Sequence, residues 1–434
     1  MKTVNLGQIA HIDISNVDKK TKENEFPVVL CNFVDVYYNW AITSSMIPNL
    51  MKATANANQI ARFSIHKGQV AITKDSETRD DIGVAAYIAD DIPNGVLGYH
   101  CALITPNEDV LSGQYLNALL HTPYAQKYFA ANASGSGQRY TLTNEIISGF
   151  PVLLPKLEEQ KKIADMFAAI DRKIENNKAI CAELEAMAKL LYDYWFVQFD
   201  FPDENGKPYK SSGGKMVWNE ELKREIPEGW EAIYLKDHIT AGRGISYNSA
   251  NLDGDGVPML NLASFNVDST YKPDGLKTYN GPYGEANILC PYDLIMCNTQ
   301  QTAINPAKDI IGKTLLVPDV FDGDIVSSHH VTTIRTPNKA FKYYLHAETK
   351  TPWFHKYISG YASGTNILGL DFNGVLSYIM PMPTQALMEK FASILHASEA
   401  KKNQVLRENQ ELISIRDFLL PVLMNGQVSF KEVC

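Results

Sequence analysis

The chain has 434 residues, 45% of them hydrophobic and 21% charged, which are ordinary values for a globular protein and exclude a disordered or fibrous chain. At roughly 100–200 residues per domain, this length allows about two to four domains. The formal net charge of −9, from 40 Lys and Arg against 49 Asp and Glu, excludes a protein that coats nucleic acid through bulk positive charge, but it leaves open a protein whose few cations line one cleft.

The cysteines and the start of the chain indicate a cytoplasmic protein. The six cysteines form no Cys-x-x-Cys pair, so we expect neither a zinc ribbon nor a disulfide scaffold, and reduced thiols suit a cytoplasm. Residues 1–15 lack the apolar core of a secretion signal. No stretch of about 18 apolar residues is present, so no membrane span is expected.

Residues 1–154 predict a first mixed-β domain. Short β-branched runs bounded by Gly, Asp, Asn or Pro are typical of strands, and helices are expected around Ser112–Ala131. The predicted strands are Pro27–Phe33, Gln69–Thr73, Val84–Ala89 and Ala102–Thr105.

A long helix is predicted next, within residues 155–199. Between Leu157 and Val197 there is no Pro and no Gly, and apolar or small residues recur in alternating steps of four and three, which is the heptad pattern of a coiled coil. Such a helix is about 60 Å long. We call the apolar stripe the first seam, and its polar member, Asn177, is expected to fix the register of pairing. The first seam consists of Ile163, Phe167, Ile170, Ile174, Asn177, Leu184, Leu191 and Trp195.

A linker and a second mixed-β domain are predicted after this helix. Residues 200–228 are polar and rich in Gly, Ser and Lys, as in a flexible linker. The second domain is expected over residues 229–382, with helices around Lys339–Ile358. Its predicted strands are Leu294–Cys297, Thr314–Val317 and Val331–Arg335.

A second long helix is predicted within residues 383–425, followed by a tail over residues 426–434. Its apolar stripe, the second seam, is weaker, because Ser, Lys, Asn and Arg interrupt it. The second seam consists of Phe391, Leu395, Val405, Leu412, Leu419 and Leu423.

The two halves of the chain resemble each other in sequence. His100 before Thr105-Pro106-Asn107 matches His330 before Thr336-Pro337-Asn338, and Ala133-Ser134-Gly135 matches Ala362-Ser363-Gly364, all with a shift near 229. The predicted fold class is therefore α+β with a pseudo-twofold internal repeat: two similar mixed-β domains, separated by two long helices that pair as an antiparallel coiled coil.

The sequence offers no catalytic site. It has no Gly-x-Gly-x-x-Gly, no Gly-x-Ser-x-Gly and no Asn-Pro-Pro-aromatic motif for adenine methylation. Asp203 and Glu221 could belong to a metal nuclease pattern, but they lie in the predicted linker, where no strand would hold two carboxylates on one metal. His329 and His330 are adjacent, so on a strand one would be buried and one exposed, which does not suit a metal site. We expect a non-catalytic chain without a metal.

The segment 154–202 resembles the central helix of specificity subunits from type I restriction–modification systems. The resemblance rests on Pro-Lys-Leu-Glu-Glu-Gln at 155–160, Ala-Ile-Asp-x-Lys-Ile at 169–174 and Trp195-Phe196. Residues 226–235 resemble the usual start of the second recognition domain in such subunits, and residues 134–143 the end of the first. The first half lacks the Pro-Glu-Gly-Trp lead-in of the second, and the second long helix lacks the Glu-Glu-Gln signature.

This resemblance implies a DNA sequence-recognition subunit that reads an asymmetric bipartite target through two target recognition domains. It implies double-stranded DNA, two DNA methyltransferase subunits and, in some assemblies, two restriction or motor subunits as partners, with no membrane involved. The partner methyltransferase is expected to hold S-adenosylmethionine, and this chain no cofactor. The long helices are then the spacer and the partner-binding surface.

Two other interpretations stay open. One is a specificity subunit of a related system in which methylase and nuclease are fused. The other is a coiled-coil scaffold that does not bind DNA and whose mixed-β domains bind protein or sugar, which the acidic charge favours mildly.

The residues that could contact DNA are few. Residues 1–150 hold 11 basic and 14 acidic side chains, and residues 230–380 hold the same numbers, so contacts must be focused. The leading segment is Ser134–Tyr140, where glycines allow close approach and Arg139 can bind bases, although it could equally be a solvent-exposed loop. The candidates are Lys74, Arg79, Ser134, Ser136, Gln138, Arg139, Tyr140, Asn298, Gln300, Gln301, Ser363, Thr365 and Asn366.

Overall fold

Mixed helix and strand make up the chain, which divides into two units. The computed structural model describes residues 2–135, 139–252, 254–301 and 309–424. Unit 1 comprises residues 1–176 and 409–434, and unit 2 comprises residues 177–408. The predicted α+β class is confirmed. The predicted tail at 426–434 lies outside the described residues.

Unit 1 is built mainly from short strands. Its strands are β1 (Lys2–Asn5), β2 (Ala10–Ile14), β3 (Phe26–Cys31), β4 (Ala41–Ile42), β5 (Met51–Ala55), β6 (Val70–Thr73), β7 (Asp75–Ser76), β8 (Ala85–Ile88), β9 (Gly95–Leu97), β10 (Cys101–Pro106), β11 (Ser134–Gly135), β12 (Tyr140–Thr141) and β13 (Pro151–Leu154). Its helices are α1 (Phe33–Tyr37), α2 (Ala57–Phe63), α3 (Gly113–Leu120), α4 (Pro123–Asn132), α5 (Asn144–Ser148) and the beginning of α6 (Leu157–Tyr192).

The main sheet of unit 1 has the strand order β2-β10-β6-β8-β4. Apolar cores cover both of its faces, since Val70 and Ile72 of β6 belong to one core and Ala71 between them to another. Continuous apolar runs are typical of strands that are buried on both faces. Three smaller sheets, β5-β3-β9, β11-β12-β7 and β1-β13, complete the unit.

Unit 2 repeats this pattern. Its strands are β14 (Met216–Asn219), β15 (Arg224–Pro227), β16 (Glu231–Tyr234), β17 (Thr240–Arg243), β18 (Val257–Leu260), β19 (Lys277–Tyr279), β20 (Leu294–Cys297), β21 (Thr299–Gln301), β22 (Thr314–Leu316), β23 (Val326–Ser327), β24 (Val331–Arg335), β25 (Ala362–Ser363), β26 (Ile367–Leu370) and β27 (Ile379–Met382). Its helices are the end of α6, then α7 (Lys339–Thr349), α8 (Pro352–Ser359), α9 (Phe372–Leu376) and the beginning of α10 (Gln385–Met424).

The sheets of unit 2 correspond to those of unit 1. The order β17-β24-β20-β22 matches β2-β10-β6-β8 of the main sheet of unit 1, whereas β4 has no counterpart among the described residues of unit 2. The orders β19-β18-β23, β25-β26-β21 and β16-β27 match the three smaller sheets. Matching helices begin in the same way: the Thr122 hydroxyl caps α4 before Pro123, and the Thr351 hydroxyl caps α8 before Pro352. The internal repeat seen in the sequence is therefore present in the strand order.

The beginning of α6 and the end of α10 pack into the core of unit 1. Ile163 and Phe167 of α6 are buried there, together with Leu420 and Leu423 of α10. A long helix gains most of its stability from the packing of its apolar face. Both long helices therefore contribute to this unit.

The end of α6 and the beginning of α10 run antiparallel in unit 2. Asn177 Nδ2 donates to Glu408 Oε2 at 2.9 Å, and Glu185 forms an ion pair with Lys402. The residue number on α10 falls as the number on α6 rises, which confirms the predicted antiparallel pairing. Asn177 is fully buried, as expected of a polar residue that fixes the register.

The predicted seam residues all turn away from solvent. The buried members are Ile163, Phe167, Ile174, Asn177, Trp195, Phe391, Leu395, Val405 and Leu423. The half-buried members are Ile170, Leu184, Leu191, Leu412 and Leu419.

Two segments differ from the prediction. The predicted flexible linker contains the hairpin β14-β15, and the Phe201 ring stacks on Tyr209 at 4.7 Å and on Trp230 at 5.4 Å, so aromatic packing orders this segment. The helix α6 ends at Tyr192, and residues 193–197 form a π-helical turn that buries Trp195 and Phe196 in the core of unit 2.

Candidate nucleic-acid interface

A buried carboxylate in unit 1 collects hydrogen bonds from four side chains. Asp75 lies at the start of β7 with 9% of its side chain exposed, and its Oδ2 accepts from Lys74 Nζ at 2.9 Å, His100 Nδ1 at 2.8 Å and Arg139 Nη2 at 3.1 Å. Its Oδ1 accepts from Thr141 Oγ1 at 2.7 Å. Together with Tyr99, these residues are called the Asp75 cluster.

Backbone pairing brings these distant residues together. Thr141 of β12 pairs with Asp75 of β7, and the Lys74 amide donates to the His100 carbonyl at 2.9 Å. Gly135 has φ of 142°, and a Cβ there would lie 2.1 Å from the Arg139 carbonyl oxygen, so only glycine lets β11 approach the residue that carries the guanidinium.

The charge state of Asp75 follows from its partners. Burial raises the pKa of Asp75, but hydrogen bonds from Lys74, Thr141 and His100 outweigh burial and hold the pKa below its usual range. The ionised carboxylate can only accept hydrogen bonds, so His100 Nδ1 is the donor in its contact with Asp75. A hydrogen bond to Tyr99 and then one to Asp75 raise the pKa of Arg139, which stays charged.

Three members of the Asp75 cluster line an open pocket of about 580 Å³ in unit 1: Asp75, His100 and Arg139. Aromatic rings line the pocket as well: Phe33 and Tyr37 stack at 5.4 Å, and Tyr38 has 73% of its surface exposed. Glu77 and Asp81 add carboxylates to the lining. A concave surface with rings and fixed hydrogen-bonding groups is suited to bind the edges of bases.

The same place in unit 2 carries different side chains. In unit 1, Thr141 of β12 pairs with Asp75 of β7. In unit 2, the corresponding strands β26 and β21 pair Gly369 with Thr299, so Thr299 occupies the position equivalent to Asp75. The Asn298 amide donates to the carbonyl of His330, as that of Lys74 does to the carbonyl of His100. Arg139 lies two residues before Thr141 in unit 1, and Ile367 lies two residues before Gly369 in unit 2, so Ile367 occupies the position equivalent to Arg139.

Unit 2 gathers its own cations at this place. The rings of His329 and His330 lie 3.9 Å apart, and His330 Nδ1 lies 2.7 Å from Thr299 Oγ1. Burial lowers the pKa of His330, and the charges of His329, Lys277 and Arg243 lower it further. The cationic side chains of Lys277 and Arg243 are exposed. We call this group the His330 cluster; it consists of Arg243, Lys277, Thr299, His329 and His330.

The unit 1 candidates fall close to the pocket. Lys74 is held by Asp75 with 12% of its side chain exposed, whereas Arg139 has 53% exposed. Arg79 lies over the ring of Tyr140 at 5.2 Å. Ser134 is exposed and donates to the Thr141 carbonyl at 3.2 Å. Ser136 and Gln138 lie outside the described residues. Contact of any of these residues with DNA stays a prediction.

The unit 2 candidates are less uniform. Gln300 is 5% exposed, and its Oε1 accepts from the amides of Ile310 and Ile311 at 2.6 and 2.9 Å, so it supports a loop and is a poor candidate for a base contact. Asn298 is half-buried and donates to Thr332 Oγ1 at 2.9 Å. The exposed positions are Ser363, Thr365 and Asn366, and the backbone of Gln301 ends β21.

Sequence reasoning missed most of both clusters. Asp75, Tyr99 and the cations Arg243 and Lys277 were not predicted as site residues, because each comes from a different strand or loop. The matched pair of His100 and His330 in the repeat was the available signal.

Within the described ranges, no group of three or more His, Cys, Asp or Glu side chains could hold a metal ion, and no helix is long and apolar enough to cross a membrane. The expectation of one buried and one exposed histidine at positions 329 and 330 is wrong. Both are half-buried, because they lie in a turn before β24 rather than in a strand.

Comparison with known proteins gives consistent matches. A family model described as the type I restriction modification DNA specificity domain matches residues 1–186. The HindI specificity subunit of Haemophilus influenzae is 24% identical, over 98% of this chain and 99% of its own length. The MjaIX specificity subunit of Methanocaldococcus jannaschii is 24% identical, over 76% of this chain and 72% of its own. The S subunit structure from M. genitalium shares the fold, with a TM-score of 0.51 and 14% identity over 97% of this chain and 95% of its own.

Proposed function

We propose that this chain, which belongs to the specificity subunits of type I restriction–modification systems, reads an asymmetric bipartite DNA target. The Asp75 cluster and the His330 cluster are the proposed reading sites. The chain is the DNA-recognition subunit of such a complex and not its catalytic subunit. Each cluster reads one half of the target, and the sequence between the halves is not read.

One observation carries this proposal: the two units share their strand order but differ in the side chains at the equivalent place. Unit 1 presents Asp75 and Arg139 where unit 2 presents Thr299 and Ile367. Direct readout depends on the donors and acceptors that a protein presents to base edges. Two places with different donors and acceptors prefer different bases, so the two halves of the target are expected to differ.

The long helices are the proposed spacer and partner-binding surface, and we assign two methyltransferase subunits to this surface, with two restriction subunits in the full assembly. On α6, three exposed apolar side chains, Ile180, Met187 and Leu190, follow one another in steps of seven and three, as on one face of a helix, and Leu190 is 68% exposed. Tyr194, in the π-helical turn after α6, is also exposed. S-adenosylmethionine belongs to the methyltransferase in this scheme.

A cytoplasmic location is part of the proposal. It is supported by the free thiols of Cys31, Cys101, Cys181, Cys290 and Cys297, since disulfides are rare in that compartment.

The proposal is tested by mapping methylated adenines in a host genome with and without this gene. We expect modified adenines within one asymmetric motif of two parts and a constant gap, present only with the gene. A single contiguous palindrome would contradict the proposal. A gel-shift assay with and without the methyltransferase separates it from the scaffold interpretation, which predicts no sequence preference in either case. Neighbouring genes would show whether methylase and nuclease are fused.

A further inference from the structure

The cations of the Asp75 cluster are paired with a carboxylate of their own unit. Asp75 Oδ2 lies 2.9 Å from Lys74 Nζ and 3.1 Å from Arg139 Nη2. In unit 2 the equivalent position holds Thr299, whose hydroxyl carries no charge. Unit 1 therefore supplies an anion to this place from its own chain, whereas unit 2 offers only a hydroxyl.

The first cation of unit 2, Arg243, stands where unit 1 has an apolar residue. Arg243 of β17 pairs with Thr332 of β24. In the corresponding strands of unit 1, Ile14 of β2 pairs with Ala102 of β10. Thr332 and Ala102 each lie two residues after the histidine of their cluster. Arg243 and Ile14 therefore occupy equivalent positions.

The second cation, Lys277, shows the same exchange. Lys277 of β19 pairs with Met259 of β18. In unit 1, Met51 of β5 pairs with Leu30 of β3. Met259 and Leu30 each pair on their other side with the residue four before the histidine of their cluster, so Lys277 occupies the position of Met51. Relative to unit 1, unit 2 has lost a carboxylate at this place and gained two cations.

The two cations are close to His330 and are not balanced by an acidic side chain. Arg243 and Lys277 are exposed, and neither forms an ion pair with a described residue. Lys277 Nζ lies 5.9 Å from the ring centre of Tyr247. That ring lies 5.5 Å from His329, which in turn lies 3.9 Å from His330. Burial and then the charges of its neighbours, both cations among them, lower the pKa of His330.

We propose that Arg243, Lys277 and His330 bind a phosphate group of the DNA backbone in the half-site of unit 2. This inference rests on the proposed function and names the part of the DNA that the cations of the His330 cluster bind. A phosphodiester brings a negative charge and acceptor oxygens, which suit two exposed cations and a ring N–H donor. The bound phosphate then takes the role that the Asp75 carboxylate has in unit 1.

A phosphate suits this place better than a base edge. Cations without a carboxylate beside them keep their full attraction for an anion. A base edge carries no net charge and would leave both cations unbalanced. Phosphate contacts fix the orientation and register of a protein on DNA, so this contact positions unit 2 while bases are read beside it. Unit 1, whose cations are already paired, is expected to depend less on backbone charge.

The first experiment restores the unit 1 charge in unit 2. It uses the complex with its methyltransferase subunits and measures binding to the target found by methylation mapping, and to duplexes with one base-pair replacement each, over a range of salt concentrations. Thr299→Asp places a carboxylate at the position of Asp75, and Thr299→Asn gives a side chain of the same shape without the charge.

We expect Thr299→Asp to bind every duplex about 10- to 150-fold more weakly than Thr299→Asn, which is the range for loss of a hydrogen bond to a charged group. The slope of log affinity against log salt should be less steep for Thr299→Asp by about 1, as for loss of one phosphate contact. The difference between the two variants isolates the charge, because any effect of the altered shape is common to both.

A second variant removes a cation at an exposed position. Arg243→Ile gives unit 2 the side chain that unit 1 has there, and it should also lower the slope by about 1. Arg335→Ile is the matched control, since Arg335 lies at the other end of the β17-β24 pairing and forms an ion pair with Asp293 at 2.8 Å. Because its charge is already balanced, its loss should leave the slope unchanged.

Uncharged linkages locate the contact on the DNA. Duplexes with a single methylphosphonate group, which lacks the charge of a phosphate, are compared one position at a time in both halves of the target. We expect one position at which the modification weakens binding by the wild type but not by Arg243→Ile, because the variant has already lost that contact. An equal effect on both proteins at every position would overturn the inference.

The remaining outcomes also decide between alternatives. A weaker affinity confined to one base-pair position would assign the cations to a base edge and overturn the inference, and so would unchanged slopes in both Thr299→Asp and Arg243→Ile. Thermal unfolding shows whether each variant folds, and if Thr299→Asp does not, Arg243→Ile decides alone. A wild-type complex that binds all duplexes equally would instead refute the proposed function.

Discussion

Replacing Glu185 by glutamine removes a charge from an ion network in unit 2. Glu185 Oε2 lies 2.5 Å from Lys350, the residue directly after α7. Its Oε1 pairs with Lys402 of α10, and Lys402 also lies 2.6 Å from Glu399. The network joins both long helices to a helix of the mixed-β part of unit 2. Loss of the Glu185 charge should therefore weaken the pairing of α6 with α10, whose register the hydrogen bond from Asn177 to Glu408 also helps to set.

The magnitude follows from the pKa of Glu185. Burial raises this pKa, but the charges of Lys350 and Lys402 outweigh burial and lower it from 4.5 to about 2. At about 1.36 kcal/mol per pKa unit, the carboxylate contributes about 3 kcal/mol to the free energy of unfolding at pH 7. This is an upper value, because Glu399 can take over part of the pairing with Lys402.

The pH dependence has a defined sign. A carboxylate whose pKa is lowered by folding stabilises the protein above its unfolded pKa of 4.5, and the stabilisation is lost as the pH falls towards about 2. The difference between wild type and Glu185→Gln should therefore shrink from about 3 kcal/mol at pH 7 to about 2 kcal/mol at pH 3.5.

Urea unfolding followed by tryptophan fluorescence measures this difference. Four of the five tryptophans lie in unit 2, and Trp195 and Trp230 are buried in its core, so the signal reports on that unit. Glu183→Gln is the matched control, because Glu183 is exposed on the same helix and its loss should change the free energy of unfolding by less than about 0.5 kcal/mol. A Glu185→Gln protein as stable as the control at pH 7, or a difference that grows in acid, would refute the reasoning.

Two further predictions concern partners. Leu190→Asp should weaken binding of the methyltransferase in size-exclusion or calorimetric titration while leaving thermal unfolding unchanged, because Leu190 is 68% exposed on α6. Ala182→Asp adds the same charge at another exposed position of α6 and should bind normally; equal binding by both variants would move the partner surface elsewhere. Lys277→Ala should weaken DNA binding of the complex about equally for all sequences and lower the slope of log affinity against log salt by about 1, as loss of one phosphate contact does. Lys223→Ala, in the β14-β15 hairpin, should leave that slope unchanged, and an unchanged slope for Lys277→Ala would exclude the contact.

Local patterns in the sequence predict the elements well. The runs Leu294–Cys297 and Val331–Arg335 are strands with the predicted bounds, and α6 begins at the predicted Leu157. The heptad steps place Ile174 and Asn177 on the buried face, because a helix repeats its faces every three to four residues. The repeat in the sequence anticipates the corresponding strand orders of the two units, which differ by β4 in unit 1 and the β14-β15 hairpin in unit 2.

Contacts that depend on chain distance could not be predicted in this way. Asp75, His100 and Arg139 are separated by 25 and 39 residues, and they meet through the pairing of β7 with β12 and the hydrogen bond from the Lys74 amide to the His100 carbonyl. Gln300 follows an apolar run, as an exposed loop residue often does. It is nevertheless buried, and its Oε1 accepts hydrogen bonds from the amides of Ile310 and Ile311. The order of the predicted linker could not be predicted either, because the stacking of Phe201 on Trp230 joins residues that are far apart in the sequence.

The two histidines show how one framework supports different chemistry. His100 faces a carboxylate that can only accept hydrogen bonds, which fixes Nδ1 as the donor. His330 faces the Thr299 hydroxyl, which can donate or accept, so either ring nitrogen can carry the proton. Burial, and then the charges of His329, Lys277 and Arg243, lower the pKa of His330 and favour the neutral ring. The same framework therefore holds the unit 1 histidine as a donor and lets the unit 2 histidine donate or accept, because Asp75 in unit 1 is replaced by Thr299 in unit 2.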